Sequence, residues 1–283
     1  MTPKGYIFPF KHFKTIVSNT IYTQSMKGFL NINIFITIVL FIGMLLMDFV
    51  GFKIRSYRNS KNITEYNTGL GPIEGALLGL LSLLLAFTFN FSASRYDARR
   101  ETIISEANDI GTALLRTNLY PDSVRKLLKA NFKQYIEARI NYYEVGDDEN
   151  KIQSASDKSA LISQKIWNSV TLLSQQPENV LRSQQMIPAV NSMIDITAVR
   201  DDKRIAYVPN SILYLLFILC LSSAFIIGYG RKEKKPDWIM LCCFTLMITI
   251  TVYLILDLDQ GRSGIITMDT AHQKMLELRK LLN

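Results

Sequence analysis

Apolar positions fall into two patterns along this chain. Four runs are apolar all round: Phe29 to Val50, Pro72 to Ala93, Ser211 to Tyr229 and Trp238 to Leu258. Each holds about twenty mostly apolar residues, the length a helix needs to cross a hydrocarbon core of about 30 Å. Between the second and third runs the pattern changes. There Leu127, Ala130, Phe132, Ile136, Ile140 and Tyr143 recur at three- and four-residue steps, the stripe of helices that pack together as a bundle. Helix breakers fall near Pro121, Gly146 and Pro177. Strand-type alternation is absent. The pattern predicts an all-α integral membrane protein, with four transmembrane helices and a helical extramembrane bundle inserted between spans two and three. Its divisions are a basic amphipathic N-terminal segment (1–28), transmembrane helices 1 and 2 (29–94), the extramembrane domain (95–210), transmembrane helices 3 and 4 (211–258) and a C-terminal tail (259–283). In the N-terminal segment Phe10, Phe13, Val17 and Ile21 share one helical face, with Lys11 and Lys14 off it; such a helix lies on a membrane surface or packs on its neighbours.

The second run is the most informative. In LLLAFTFNFSASRYDARRE, Leu83 to Glu101, a lipid-like stretch passes into a charged one with no proline or glycine between. From Pro72 to about Leu119 only Gly75, Gly79 and Gly111 interrupt the helical pattern. That predicts a rod of roughly 70 Å, more than twice the hydrocarbon thickness. Pro72 and Glu74 suit its first turn, and Asn210 suits the N-cap of span three. Gly75, Gly79, Ser82, Ala86, Asn90, Ala93 and Asp97 fall within an arc of roughly 80° on this rod. A small-residue stripe of this kind lets two membrane helices approach closely, which makes Gly75, Gly79, Ala86 and Ala93 packing candidates. It also suits a conduction path lined by Ser82 and Asn90. Beside it Leu83, Phe87 and Phe91 repeat every four residues, either as a hydrophobic gate or as bulk facing lipid or another helix.

Composition supports the membrane reading: 48% of the 283 residues are hydrophobic. The formal charge of +8 sits largely beside spans, where it sets topology and touches anionic lipid rather than nucleic acid. Lys53, Arg55, Arg58 and Lys61 fill one short loop, and Arg231, Lys232, Lys234 and Lys235 the other. The positive-inside rule puts both loops in the cytoplasm of a bacterial inner membrane. The extramembrane domain and both termini are then periplasmic, against the counterweight of basic residues in the N-terminal segment and after span two.

Candidate chemistry is sparse. Cys220, Cys242 and Cys243 lie inside spans, and His12 and His272 lack ligand spacing, so no metal site, cofactor or catalytic residue is expected. Glu101, Glu106 and Asp109 read as a solvated helix face. Arg95, Asp97, Arg99 and Arg100 follow span two, and Asp257, Asp259 and Arg262 follow span four. Both exits share one membrane face, so the seven form an interfacial charge cluster whose pairing fixes the relative depth of the two helices; the alternative is an ion vestibule or cation-binding site using Asp257 and Asp259. On the opposite face Asp48 and Glu74 are placed to pair with Lys53 or Arg55.

The segments EGALLGLLSLLLAFTFNFSASRYDARRETIISEANDIGTALLR and VYLILDLDQGRSGII resemble the signature segments of the bacterial bestrophin-like family, over roughly Leu70 to Met268. The resemblance implies kinship with bestrophins, pentameric anion channels with four membrane helices per subunit. In those the second helix lines the pore and bulky apolar residues at four-residue spacing form its neck; here those would be Leu83, Phe87 and Phe91. Self-association, a pentamer, a surrounding bilayer and inorganic anions as the permeant species are what the resemblance implies. Bestrophins keep their large helical domain in the cytosol, whereas the charge count places this one outside. The function expected is a homo-oligomeric anion channel; the alternative is a non-conducting scaffold or sensor whose long second helix relays the state of the bundle to partners.

Overall fold

The computed structural model describes the backbone of residues 10–60, 70–231, 237–262 and 264–282, and the side chains of 32–60, 71–231, 237–262 and 264–282. The face of the N-terminal segment, and Lys61, Lys232, Lys234 and Lys235 of the basic loops, lie outside these. Eight α-helices follow in order among the described residues: α1 (Phe10–Ser60), α2 (Leu70–Arg116), α3 (Asp122–Glu144), α4 (Glu149–Ser174), α5 (Val180–Ile205), α6 (Asn210–Gly230), α7 (Trp238–Gln260) and α8 (Asp269–Glu277). Short 3₁₀ turns occupy Thr117–Leu119, Pro177–Asn179 and Leu278–Leu282, and no strand occurs among the described residues. Four stretches, in α1, α2, α6 and α7, are long and apolar enough to cross a bilayer. The protein is a multi-pass membrane protein.

Helix ends follow local chemistry. Pro121 stands at the N-cap of α3. Gly146 takes a positive φ of 71° between α3 and α4, a conformation that costs a residue with a Cβ far more than glycine. Asp148 then caps α4 by accepting from the Lys151 amide, and Asp237 caps α7 by accepting from the amides of Ile239 and Met240; each satisfies N–H groups that have no partner inside their helix. Two expected ends shift by a residue or two. Pro209 holds the N-cap position of α6, so Asn210 is its first helical residue. Helix α2 starts at Leu70, which leaves Pro72 in its first turn and Glu74 just past it.

The described residues divide into two compact units. The span unit takes Leu30–Asp97 and Ala206–Gly261. Its core joins Leu40 and Met44 of α1, Leu81 of α2, Leu216 and Cys220 of α6, and Val252 of α7. Close approach of α1 and α6 is made by glycines: a Cβ on Gly228 would collide with the backbone of Asp48, and one on Gly51 with the Phe225 carbonyl and the Tyr229 nitrogen.

The bundle unit takes the stretch of α1 up to Phe29, Ala98–Ile205 and the residues from Arg262 onward. Its core includes Ile110 and Leu114 of α2, Phe132 and Ile136 of α3, Ile166 of α4 and Met186 of α5, all at most 2% exposed. The α3 stripe is offset from the expected one at its start. Leu128 is buried, while Leu127 is 57% exposed and Ala130 also faces out; counting back from Phe132 by one helical turn lands on Leu128. Residues 269–282, a tail without an element by sequence, form α8 and a 3₁₀ turn that pack on α3. There Met275 is wholly buried, and burying a side chain of that size contributes about 1.5–3 kcal/mol.

The uncovered face of helix two and the charges at its end

Within the span unit, α2 turns Leu81, Thr88 and Ser92 inward, all at most 2% exposed. Thr88 donates its hydroxyl to the Leu84 carbonyl at 2.6 Å. The opposite face is bare in the single chain: Leu83, Phe87 and Phe91 are 53%, 52% and 52% exposed. Ser82, Ala86 and Asn90 are exposed beside them, with Ala93 half-buried at the edge. The structure therefore brings the candidate gate and path residues onto one continuous, uncovered surface. Among the described residues, and apart from the helix's own adjacent backbone, nothing lies within 4 Å of a Cβ built on Gly75 or Gly79. The expected close packing at Gly75 and Gly79 does not occur among the described residues of the single chain; there Gly51 and Gly228 make the close helix approach.

The charges flanking the spans are divided between the two units. Arg95, Asp97, Asp257 and Asp259 belong to the span unit, and Arg99, Arg100 and Arg262 to the bundle unit. Arg95 is half-buried; Asp97 and Arg100 are exposed. Asp259 is 8% exposed and accepts from the Val208 amide with both oxygens, at 3.1 and 3.0 Å. Asp257, fully buried, accepts from the Tyr253 hydroxyl at 3.3 Å. Arg99 is 7% exposed and donates to the Lys203 carbonyl at 3.0 Å. Arg262 donates to the carbonyls of Tyr142 and Gly146 at 3.2 and 2.9 Å. Of the seven, Asp259, Arg99 and Arg262 engage backbone groups and Asp257 a tyrosine hydroxyl.

At the other end of the span unit Asp48 pairs with Arg231 rather than with Lys53 or Arg55. Both carboxylate oxygens accept from Arg231 Nη2, at 2.6 and 2.7 Å. Arg55 donates to the Tyr229 and Gly230 carbonyls at 2.8 and 3.0 Å, where a cation suits the negative end of α6.

The bundle unit holds a site that sequence reasoning misread. Glu106 is completely buried, not on a solvated face, and each of its oxygens accepts from a guanidinium: Arg139 on one, Arg200 on the other. Burial would raise its pKa, but the two cations outweigh that and hold it below the ordinary carboxylate value. Arg139, Arg200 and Arg262 all stack over the ring of Tyr142, with guanidinium carbons 4.4, 5.0 and 4.6 Å from its centroid. The Tyr142 hydroxyl donates to Asp201. A sequence signal existed: Glu106 lies in helical register with the buried Ile103, Ile110 and Ala113. Nearby, His272 stacks on Tyr143 with ring centroids 4.1 Å apart. Burial and the neighbouring Arg200 push its pKa down to about 4. Among the described residues no group of three or more His, Cys, Asp or Glu could hold a metal ion.

No functionally curated protein matches the chain. Among solved structures, a bacterial bestrophin homolog from Klebsiella pneumoniae superposes with a TM-score of 0.61 at 10% identity, over 86% of this chain and 98% of that one. A single-residue variant of that homolog gives a TM-score of 0.61 at 11% identity over the same shares. Identities this low carry the fold alone. The sequence itself matches the Bestrophin-like domain over residues 38–271, most of its length, and the chain belongs to the bestrophin-like family.

Proposed function

We propose that the protein is a homo-oligomeric membrane ion channel in which copies of α2 surround and line the conduction path, and that it passes anions. The observation that carries this reading is the bare face of α2. Ser82 and Asn90 are poorly suited to lipid, yet they stand exposed on the single chain; a water-filled axis or a neighbouring copy would cover them. Leu83, Phe87 and Phe91, one turn apart on that surface, would form a constriction that closes by dewetting. The family and the fold favour a channel over a passive membrane anchor. Arg95 and Arg100 would raise anion concentration at the mouth; Arg99, turned onto a backbone carbonyl, would not.

In this reading the bundle unit stands outside the bilayer as an insertion between spans two and three. The basic loops face the cytoplasm, the bundle and termini the periplasm, and the assembly is a pentamer. The test is native mass in mild detergent, with bound detergent subtracted, followed by halide flux in liposomes. A closed ring with flux that rises on Phe87→Ala supports the channel. A monomer or dimer without flux overturns it, and leaves a scaffold whose long second helix relays the state of the bundle to partners.

A further inference from the structure

We propose that the bundle unit binds one small monovalent inorganic anion, of halide or nitrate size, between the Arg139 guanidinium and the Tyr135 hydroxyl. The argument starts from donors without acceptors. Arg139 is 1% exposed. Its Nε donates to Glu106 and its Nη1 to the Ser159 hydroxyl at 3.3 Å, while Nη2 is buried with no acceptor. One turn back on the same face of α3, the hydroxyl of Tyr135 is also buried without a partner, and one turn further so is the side-chain nitrogen of Asn131. Residues at steps of four share a helix face, so three unused donors line up along one seam of the core. The Tyr135 hydroxyl feels the charges of Arg139, Glu106, Arg200 and Asp201, which places it in the same cluster.

The anionic and hydroxyl acceptors nearest these donors already take other hydrogen bonds. Both oxygens of Glu106 are taken by Arg139 and Arg200, Asp201 accepts from Tyr142, and Ser159 passes its own proton to the Ser156 carbonyl. Two guanidiniums against one carboxylate leave this buried trio with a positive charge. Arg204, at the rim, is matched bidentately by Glu149 at 2.8 and 2.7 Å, and Arg262 uses backbone carbonyls. A buried donor left unmade costs stability, more so beside an uncompensated charge. An anion answers both needs at once; a water molecule answers only the first. Donors this deeply buried, Arg139 at 1% and Tyr135 at 0% exposed, favour a small ion over a phosphate ester or carboxylate ligand.

The site stands independently of the channel reading, because it is read by binding rather than by flux. The experiment is thermal unfolding of the full-length protein in detergent, in chloride, bromide, nitrate and gluconate at equal ionic strength. Wild type should melt several degrees higher in the three small anions than in gluconate, saturably, and Tyr135→Phe should lose that difference. Crystals grown in bromide should show an anomalous peak within hydrogen-bond distance of Arg139. Equal melting in all four salts overturns the proposal. So does a shift that survives Tyr135→Phe, which puts the anion elsewhere. If the variant fails to fold, the bromide crystal decides: a peak at Arg139 upholds the site, and an ordered water without anomalous signal refutes it.

Discussion

Helix α2 carries polar side chains in two opposed settings. In the span unit Ser82 and Asn90 lie on a surface the chain leaves bare. In the bundle unit Glu106, on the same helix, is sealed completely and matched by two arginines. A polar group that is buried with partners belongs to the stability of one chain. A polar group left bare on a membrane helix is not accounted for by the single chain. Hydropathy alone does not separate the two settings.

The contrast can be broken by substitution. Glu106→Gln strips the charge from beneath two buried guanidiniums and should destabilise the protein by about 3–5 kcal/mol, seen as a large fall in melting temperature. Glu101→Gln, on the exposed side of the same helix, should move it by less than about 0.5 kcal/mol. Next in size is Gly228→Ala. Its Cβ meets the backbone of Asp48, which no side-chain rotation can relieve, so about 3 kcal/mol or more is expected. Gly75→Ala, with open space around it, should leave the stability of the single chain unchanged; any effect would read out in native mass.

Acid should separate the units by a smaller margin. His272 has a folded pKa of about 4 against an ordinary histidine value of 6.5, so between those pH values the unfolded chain binds a proton that the folded one refuses. The stability is fully present above 6.5 and is lost as pH falls toward 4, by about 2–3 kcal/mol. Glu106, held low when folded, acts in the same direction further down the scale. His272→Phe, which can keep the stack on Tyr143, should flatten the upper part of this melting-temperature profile. An unchanged profile would discount the histidine. The smallest effect on the chain itself should come from Phe87→Ser: with the ring half-exposed, less than about 0.5 kcal/mol, while flux or oligomer mass changes.

Features set by local composition were legible in the sequence. The four spans are apolar over a full bilayer length, and Pro121, Gly146 and Pro177 mark breaks that the structure uses. Features set by distant partners were not. Asp48 was matched to Lys53 or Arg55 because they are near in sequence, but its partner Arg231 is 183 positions away. Gly75 and Gly79 form a recognisable motif yet meet no other helix among the described residues, whereas Gly51 and Gly228, each on a different helix, have no shared pattern to notice. The burial of Glu106 was hidden by an ordinary assumption about carboxylates, although the apolar residues in register with it pointed inward. At the start of the α3 stripe Leu127 and Leu128 are chemically identical, and only the four-residue step back from Phe132 separates the buried Leu128 from the exposed Leu127.

Arg55 and Arg231 are counted by the topology rule as markers of the cytoplasmic side, and the same two side chains tie α1 to the end of α6. An engineer who wished to reverse this protein in the bilayer by neutralising its basic loops would dismantle a joint while erasing an address. Replacement by lysine would preserve the address and still loosen the joint, since an ammonium cannot reproduce the grip of a guanidinium on Asp48 or on two carbonyls at once. Rewriting the orientation would have to proceed by adding cations elsewhere.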